Sequence, residues 1–380
     1  MADKKRQHYV PVFYLKFFAS DPERKRISIY NLNSHRVIHS ASLKRQAYKD
    51  NFYGSDKVVE SAFEMLEGRS AEVISDTIAR SDHPPYYTKE HHVILSFTVM
   101  LHGRTLYSAD ALSETIEKFV KTIAAKNPEL KEHIDEVKIR LANPAQWTVQ
   151  KVASLIHVVS DLGYKLIVND TPTPFFTSDH PVVFYNQFME TRKTWGSNCG
   201  LASKGLQIFL PLSPKHQLIF FDKDVYKVSG IHHRPIVIKD ARAVDSLNML
   251  QVLNAYENLY FGDENSAEYV KSVYNSASSH KRAVKSNVNE FPQGKNDKGQ
   301  DESIIAMSQE DVKCGLSLSF VTLTKEAKEF KMDHRAVYVR NPTITRLDDE
   351  FSTLVSAGVY KPSEFKKFFN DKYASKFNKN

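Results

Sequence analysis

Apolar positions along the chain change period twice, and those changes divide it into three stretches. Residues 8–18 (HYVPVFYLKFF) crowd aromatic and branched side chains, which favours extended backbone, and Pro11 bars a central strand position. Residues 27–32 (ISIYNL) and 36–42 (RVIHSAS) flank a short Asn33-Ser34-His35 turn and read as a β-hairpin. The period then lengthens. From 57 to 80, Val59, Phe63, Leu66, Val73, Ile74 and Ile78 fall at helical spacing until Pro84-Pro85 ends the pattern. Further helices are predicted over 89–106, with Val93, Ile94, Phe97, Met100 and Leu101 inward, over 109–125, over 128–142 and after Pro144.

Short β-type runs return after residue 160. They cover 164–170 (YKLIVND), 175–184 (FFTSDHPVVF), 206–212 (LQIFLPL) and 216–222 (HQLIFFD), and the tight Pro214-Lys215 connection implies an antiparallel pair. A helix over 240–257 and a strand at 259–261 complete this stretch. Residues 276–303 turn polar and read as a flexible linker or long loop. Beyond it, 304–380 forms a basic C-terminal segment with a strand within 316–323 and charged helices. The pattern predicts an α+β fold. Its main domain, 1–262, holds an N-terminal β-hairpin unit (8–42), a central helical bundle (57–160) and an antiparallel sheet (164–262).

With 380 residues, 41% hydrophobic and 11% aromatic, the chain can bury a substantial core. Its longest mostly apolar run, 93–101, is too short to span a bilayer, and the charged start at 1–7 does not read as a signal peptide. A cytoplasmic protein without membrane attachment is expected. Cys199 and Cys314 lack metal-ligand spacing and read as free thiols.

The net charge is +7. Basic side chains crowd both ends, with Lys4, Lys5, Arg6 and Lys16 at the start and Lys361, Lys366, Lys367, Lys372, Lys376 and Lys379 at the finish. They form either solvated tails or a phosphate-facing surface, and the first four are the candidate nucleic-acid contacts. The sequence has no P-loop, dinucleotide glycine motif, HExxH or GxSxG, which disfavours the commonest nucleotide-dependent, zinc-peptidase and serine-hydrolase classes.

Four residues carry candidate chemistry. Glu67 shares the apolar face of Phe63, Ser70 and Ile74, and Arg104 shares that of Phe97 and Met100, so an acid and an arginine point inward. Buried charges need partners. Either the two form an ion pair fastening their helices, or they line a cavity with His8 and Asp179. Asp179 follows Thr177-Ser178 and precedes Pro181, turn chemistry that either bonds local backbone N–H or aims a carboxylate into a cleft. On the cavity reading His8 supplies acid–base chemistry, Arg104 holds a phosphate, and Glu67 with Asp179 either holds Mg2+ or Mn2+ or orients water. That set suits phosphodiester cleavage of RNA or DNA. His91 and His102 share a helix stripe but lie too far apart for one metal and read as a polar face; His232-His233 reads as loop decoration.

Several fragments in order resemble a bacterial and fungal family known as domain of unknown function 4238. They are His8-Tyr9-Val10-Pro11 with Tyr14-Leu15 and Phe17-Phe18, Asn51-Phe52-Tyr53, Glu67, Arg104, Phe176-Thr177-Ser178-Asp179-His180-Pro181, Pro211-Leu212-Ser213-Pro214, and Asn248 ahead of Ala255 and Tyr260. The resemblance covers about residues 7–262 and implies no activity. The expected function is a nucleic-acid-directed, nuclease-like hydrolase of bacterial conflict or anti-phage defence. The alternative is a non-catalytic nucleic-acid-binding or protein-interaction module with a structural Glu67–Arg104 pair.

Overall fold

A computed structural model describes residues 6–54, 57–192, 194, 196–230, 234–295, 297, 299, 301–333, 338–361 and 364–377. Strand β1 (Arg6–His8) leads through Pro11 into helical turns, α1 (Val12–Leu15) and a 3-10 turn over Lys16–Phe18. The extended run expected over 8–18 is thus a correction. Tyr14, Leu15 and Phe18 recur at helical spacing and all three are buried, while Pro11 sits as the cap that starts the turn. β2 (Arg26–Asn31) and β3 (Arg36–Ser42) form the predicted hairpin. Its turn is set by Asn31 Oδ1, which accepts from Ser34 N at 2.9 Å and Ser34 Oγ at 2.8 Å. β4 (Tyr48–Asp50) pairs antiparallel with β1.

The helical layer follows: α2 (Lys57–Arg80), α3 (Lys89–Gly103), α4 (Leu106–Ala124), a single turn α5 (Pro128–Lys131) and α6 (Pro144–Ser154). The helix expected over 128–142 stops after one turn. Leu130 and Val137 stay about half exposed and Ile134, Ile139 and Leu141 are only partly buried, so little burial supports propagation. α3 and α6 touch at Gly103, where a Cβ would stand 2.6 Å from Val152 Cγ2.

Then come β5 (Gly163–Asn169), β6 (Thr177–Ser178), β7 (Val183–Tyr185), the turn α7 (Gln187–Glu190), β8 (Gln207–Ser213), β9 (His216–Phe221), β10 (Tyr226–Val228), β11 (Ile236–Ile238), α8 (Ala241–Asn254), β12 (Asn258–Phe261) and α9 (Ala267–Ala277). One sheet runs β11-β5-β9-β8-β7, and a second runs β3-β2-β12-β6. The larger sheet is mixed rather than purely antiparallel, because β11 lies parallel to β5. The single strand expected over 175–184 is broken into β6 and β7, which join different sheets. The N-terminal hairpin is no separate unit, since β12 extends its sheet.

Strand alternation places a core on each face of the larger sheet. Tyr164, Leu166, Ile208, Leu210, Leu218 and Phe220 face the helical layer and the N-terminal turns. Ile167, Phe209, Ile219 and Phe221 face α8, α9 and the segment after residue 311.

The linker expected over 276–303 is corrected too. α9 reaches Ala277, and β13 (Ser286–Lys295) pairs with β14 (Asp301–Gln309) as a long antiparallel hairpin laid on α4. Such a two-stranded ribbon buries little, so its sequence carries no apolar alternation. β15 (Val321–Leu323) pairs with β10, α10 (Lys325–Glu329) follows, and α11 (Pro342–Ser356) with α12 (Phe365–Phe377) forms a small cluster around Leu347, Phe351 and Phe368. Residues 304–333 and 338–340 are therefore part of the main body: Arg340 Nε reaches Asp161 Oδ2 at 2.9 Å and its Nη2 donates to Val158 O at 2.7 Å. Among the described residues, no helix is long and apolar enough to cross a membrane.

Candidate functional site

Arg104 follows the last turn of α3 and is 4% exposed. Each of its guanidinium nitrogens is bonded. Nη1 donates to Glu67 Oε1 at 2.6 Å, Nη2 to the backbone carbonyl of His8 at 2.6 Å, and Nε to Tyr53 Oη at 3.2 Å. The Phe63 ring lies 3.8 Å from its Cζ, and Tyr53 Oη donates back to Arg104 O at 3.0 Å. The result is a clamp joining β1, α2, the Tyr53 turn and the end of α3.

Of His8, the clamp uses the main chain. Its ring packs on Tyr48 at 5.8 Å with Nε2 3.4 Å from Lys44 O, and burial lowers its pKa. Asp179 lies elsewhere, 2% exposed. Its Oδ1 accepts from Tyr256 N at 2.8 Å, and its Oδ2 from Glu257 N at 2.8 Å and Asn258 N at 3.1 Å, so it staples the α8–β12 loop. Burial pushes this carboxyl up to about 7, against the three N–H donors.

The structure therefore brings together the Glu67 and Arg104 side chains and the His8 backbone. Asp179 is committed to another loop. None of the four lines the large cavity described below. Among the described residues no three His, Cys, Asp or Glu side chains gather as a metal would require, so the Glu67–Asp179 pair expected to hold Mg2+ or Mn2+ has no donor set around it. Arg6 and Lys16 are exposed, with Arg6 over the Tyr48 ring at 5.1 Å, whereas Lys4, Lys5, His232 and His233 lie outside the described residues.

A different group of side chains faces a cavity of about 610 Å³ between α3, α6, the start of α4 and the foot of the β13–β14 hairpin. Rings line its inner wall as a ladder. Phe184 stacks on His102 at 3.9 Å and 7°, His102 meets His180 at 4.8 Å, and His180 meets Tyr107 at 4.7 Å. Arg282 closes the series with Cζ 4.6 Å from the Tyr107 centroid.

Local chemistry sets each rung. Thr105 caps α4 and lies 2.7 Å from His180 Nδ1. His102 Nδ1 donates to Val182 O at 3.2 Å, which leaves Nε2 as the acceptor of a neutral ring. Burial holds His102 at about 4, with Arg282 adding to the effect, and holds His180 well below the usual histidine range.

Two side-chain atoms on this wall remain uncommitted. Among the described residues, His180 Nε2 and Tyr107 Oη are buried without a hydrogen-bond partner. Arg282 donates only to carbonyls, Leu253 O at 3.2 Å, Asn254 O at 3.4 Å and Glu310 O at 3.5 Å, and makes no ion pair among the described residues. Across the cavity, burial raises Asp311, whose carboxylate accepts from Ser197 Oγ and Asn198 N at 2.6 Å. Trp147, 59% exposed, and Met307 form part of the rim, with Lys151 one helical turn beyond Trp147.

Sequence reasoning missed this ladder. His102 reads as a polar stripe, Arg282 falls in the supposed linker, and His180 sits beside the more conspicuous Asp179. The usable signal is alternation, because neighbours in extended chain point to opposite sides.

The family model described as Protein of unknown function (DUF4238) matches residues 6–265. That span includes both the clamp and the ring ladder but ends before Arg282 and the hairpin. No curated protein and no solved structure matches the chain.

Proposed function

We propose, on the premise that the chain belongs to the DUF4238 family, that it is a phosphodiester hydrolase acting on nucleic acid held in the ring-lined cavity. One observation carries the reading: among the described residues, His180 Nε2 and Tyr107 Oη are buried and unpartnered beside an arginine that makes no ion pair with a carboxylate. Such groups call for a partner from outside the chain, a ligand or a water, and these two face a cavity that can admit one. An arginine fork suits phosphate oxygens, and an aromatic rim suits a base.

The chemistry follows from the positions. With Nδ1–H donating to Thr105 Oγ1, His180 presents an Nε2 lone pair to a water. Nε2 takes the proton, the water oxygen bonds to phosphorus, and the bond to the leaving oxygen breaks. The imidazolium returns its proton to that oxygen. Arg282 and the Tyr107 hydroxyl hold the phosphoryl oxygens, whose charge raises the histidine toward its working range. Trp147 stacks a base, and Lys151 meets a neighbouring phosphate.

The test is cleavage of mixed RNA and DNA oligonucleotides, with and without Mg2+ or Mn2+. His180→Asn is expected to lose about 100-fold or more. Tyr107→Phe, which removes only an unpartnered hydroxyl, is expected to lose about 10-fold with no loss of folding. Cleavage by both variants at the wild-type rate refutes the assignment. A second reading keeps the same cavity as a binding site without catalysis. It is favoured by the depth of the ladder, His180 being 1% exposed, and predicts oligonucleotide binding without cleavage.

A further inference from the structure

Tyr107 and Arg282 also line a second cavity of about 460 Å³. Its wall includes the segment Lys281–Lys285, and each of that segment's three cations lies over an aromatic ring. Lys281 Nζ is 3.8 Å from the Tyr274 centroid, Arg282 Cζ 4.6 Å from Tyr107, and Lys285 Nζ 4.7 Å from Tyr256. The lysines donate to the phenol oxygens of the same rings, at 2.5 Å to Tyr274 and 2.9 Å to Tyr256. Among the described residues none of the three cations makes an ion pair with a carboxylate. The nearby acids are engaged: Glu114 Oε1 accepts from Lys118 Nζ at 2.7 Å, and Asp110 Oδ2 from Tyr256 Oη at 2.7 Å.

We infer that the second cavity is a further anion subsite, so that the ligand is a single strand of nucleic acid spanning both cavities. One phosphate sits at Arg282 and the following ones lie along Lys281 and Lys285. The inference takes the ligand's chemistry from the hydrolase reading but concerns binding rather than cleavage. Rings fix the three cations of this five-residue segment, and several cations without carboxylate partners suit a polyanion better than a single charge. Flexible backbone can enter cavities of this volume, whereas a duplex presents its phosphates across too broad a surface.

The experiment measures binding by the full chain, in EDTA, of adenosine monophosphate and of labelled single-stranded RNA and DNA roughly twelve nucleotides long. The Lys281→Ala/Lys285→Ala double variant should weaken the oligonucleotide about 10-fold at moderate salt and leave the mononucleotide within about 2-fold. Its log affinity against log salt should flatten by about 1.4, at about 0.7 per lost phosphate contact. Arg282→Ala should weaken both probes. Equal losses for the two probes, or an unchanged oligonucleotide affinity, overturn the second subsite. Wild-type chain that binds by length but does not cleave sinks the hydrolase reading and upholds the subsite. Cleavage with oligonucleotide affinity unaffected by the double variant does the reverse.

Discussion

Two groups of buried polar side chains, the Arg104 clamp with Asp179 and the cavity wall, are treated in opposite ways. Around Arg104 every guanidinium nitrogen has an acceptor, and at Asp179 both carboxylate oxygens have donors. On the cavity wall, among the described residues, His180 Nε2 and Tyr107 Oη are left open, and Arg282 beside them bonds carbonyls but no carboxylate. Both groups lie within or next to the family-matched span, and both look equally functional as residue types. Satisfaction separates them. A closed network spends its polarity on the fold, while an open one holds polarity in reserve for something that enters.

The largest expected effect falls on the closed network. Arg104→Ala removes three hydrogen bonds and leaves Glu67 without its partner, and should cost about 3–5 kcal/mol. Thermal unfolding should shift down by roughly 5–10 °C. Activity per folded molecule should be unchanged. A small stability loss with a large activity loss would reverse the assignment of the two regions. Asp179→Asn keeps the shape but turns an amide against backbone N–H donors, and should cost about 1.5–3 kcal/mol by denaturant titration.

The open network should respond with the opposite sign. Tyr107→Phe deletes a buried hydroxyl that has no partner among the described residues, so unfolding free energy should rise by about 1 kcal/mol while oligonucleotide affinity falls. If the variant is instead destabilised, the hydroxyl has a structural partner and the contrast between the two regions fails.

How much of this was legible in the sequence follows the same division. Glu67 and Arg104 announce themselves because a charge on an apolar helix face breaks a period, and their inward direction follows from spacing alone. The β2–β3 hairpin and the long helices α2 and α3 show in the same way. The ladder breaks no period. His102 stands at the end of α3, Tyr107 just inside α4 and His180 between two strands of different sheets, so only tertiary structure makes them neighbours. Arg282 was hidden further, since the ribbon that follows it buries too little surface to look like a pair of strands. Periodicity reports burial. It does not report which buried atoms lack partners.

The smallest effect at neutral pH is also the most diagnostic of an open site. His102 titrates near 6.5 in the unfolded chain and about 4 in the fold, where burial and then Arg282 disfavour its cation. Between those values the unfolded chain binds the extra proton, so this residue's contribution is present above 6.5 and is lost as pH falls toward 4. Asp179, raised to about 7, acts the other way. Its folded form takes up the proton first, so its contribution is present below the unfolded carboxylate range and is lost as pH rises through 7. His102→Gln should therefore differ from the wild type at pH 7 only through packing. In acid the variant should gain on the wild type by at most about 1.4 kcal/mol per pH unit below 6.5. Saturating oligonucleotide should shrink that gain, because a phosphate beside the ladder raises the imidazole and removes the acid penalty from the wild type. A gain that oligonucleotide leaves untouched would mean that His102 senses only its own burial, and that no anion reaches the wall it lines.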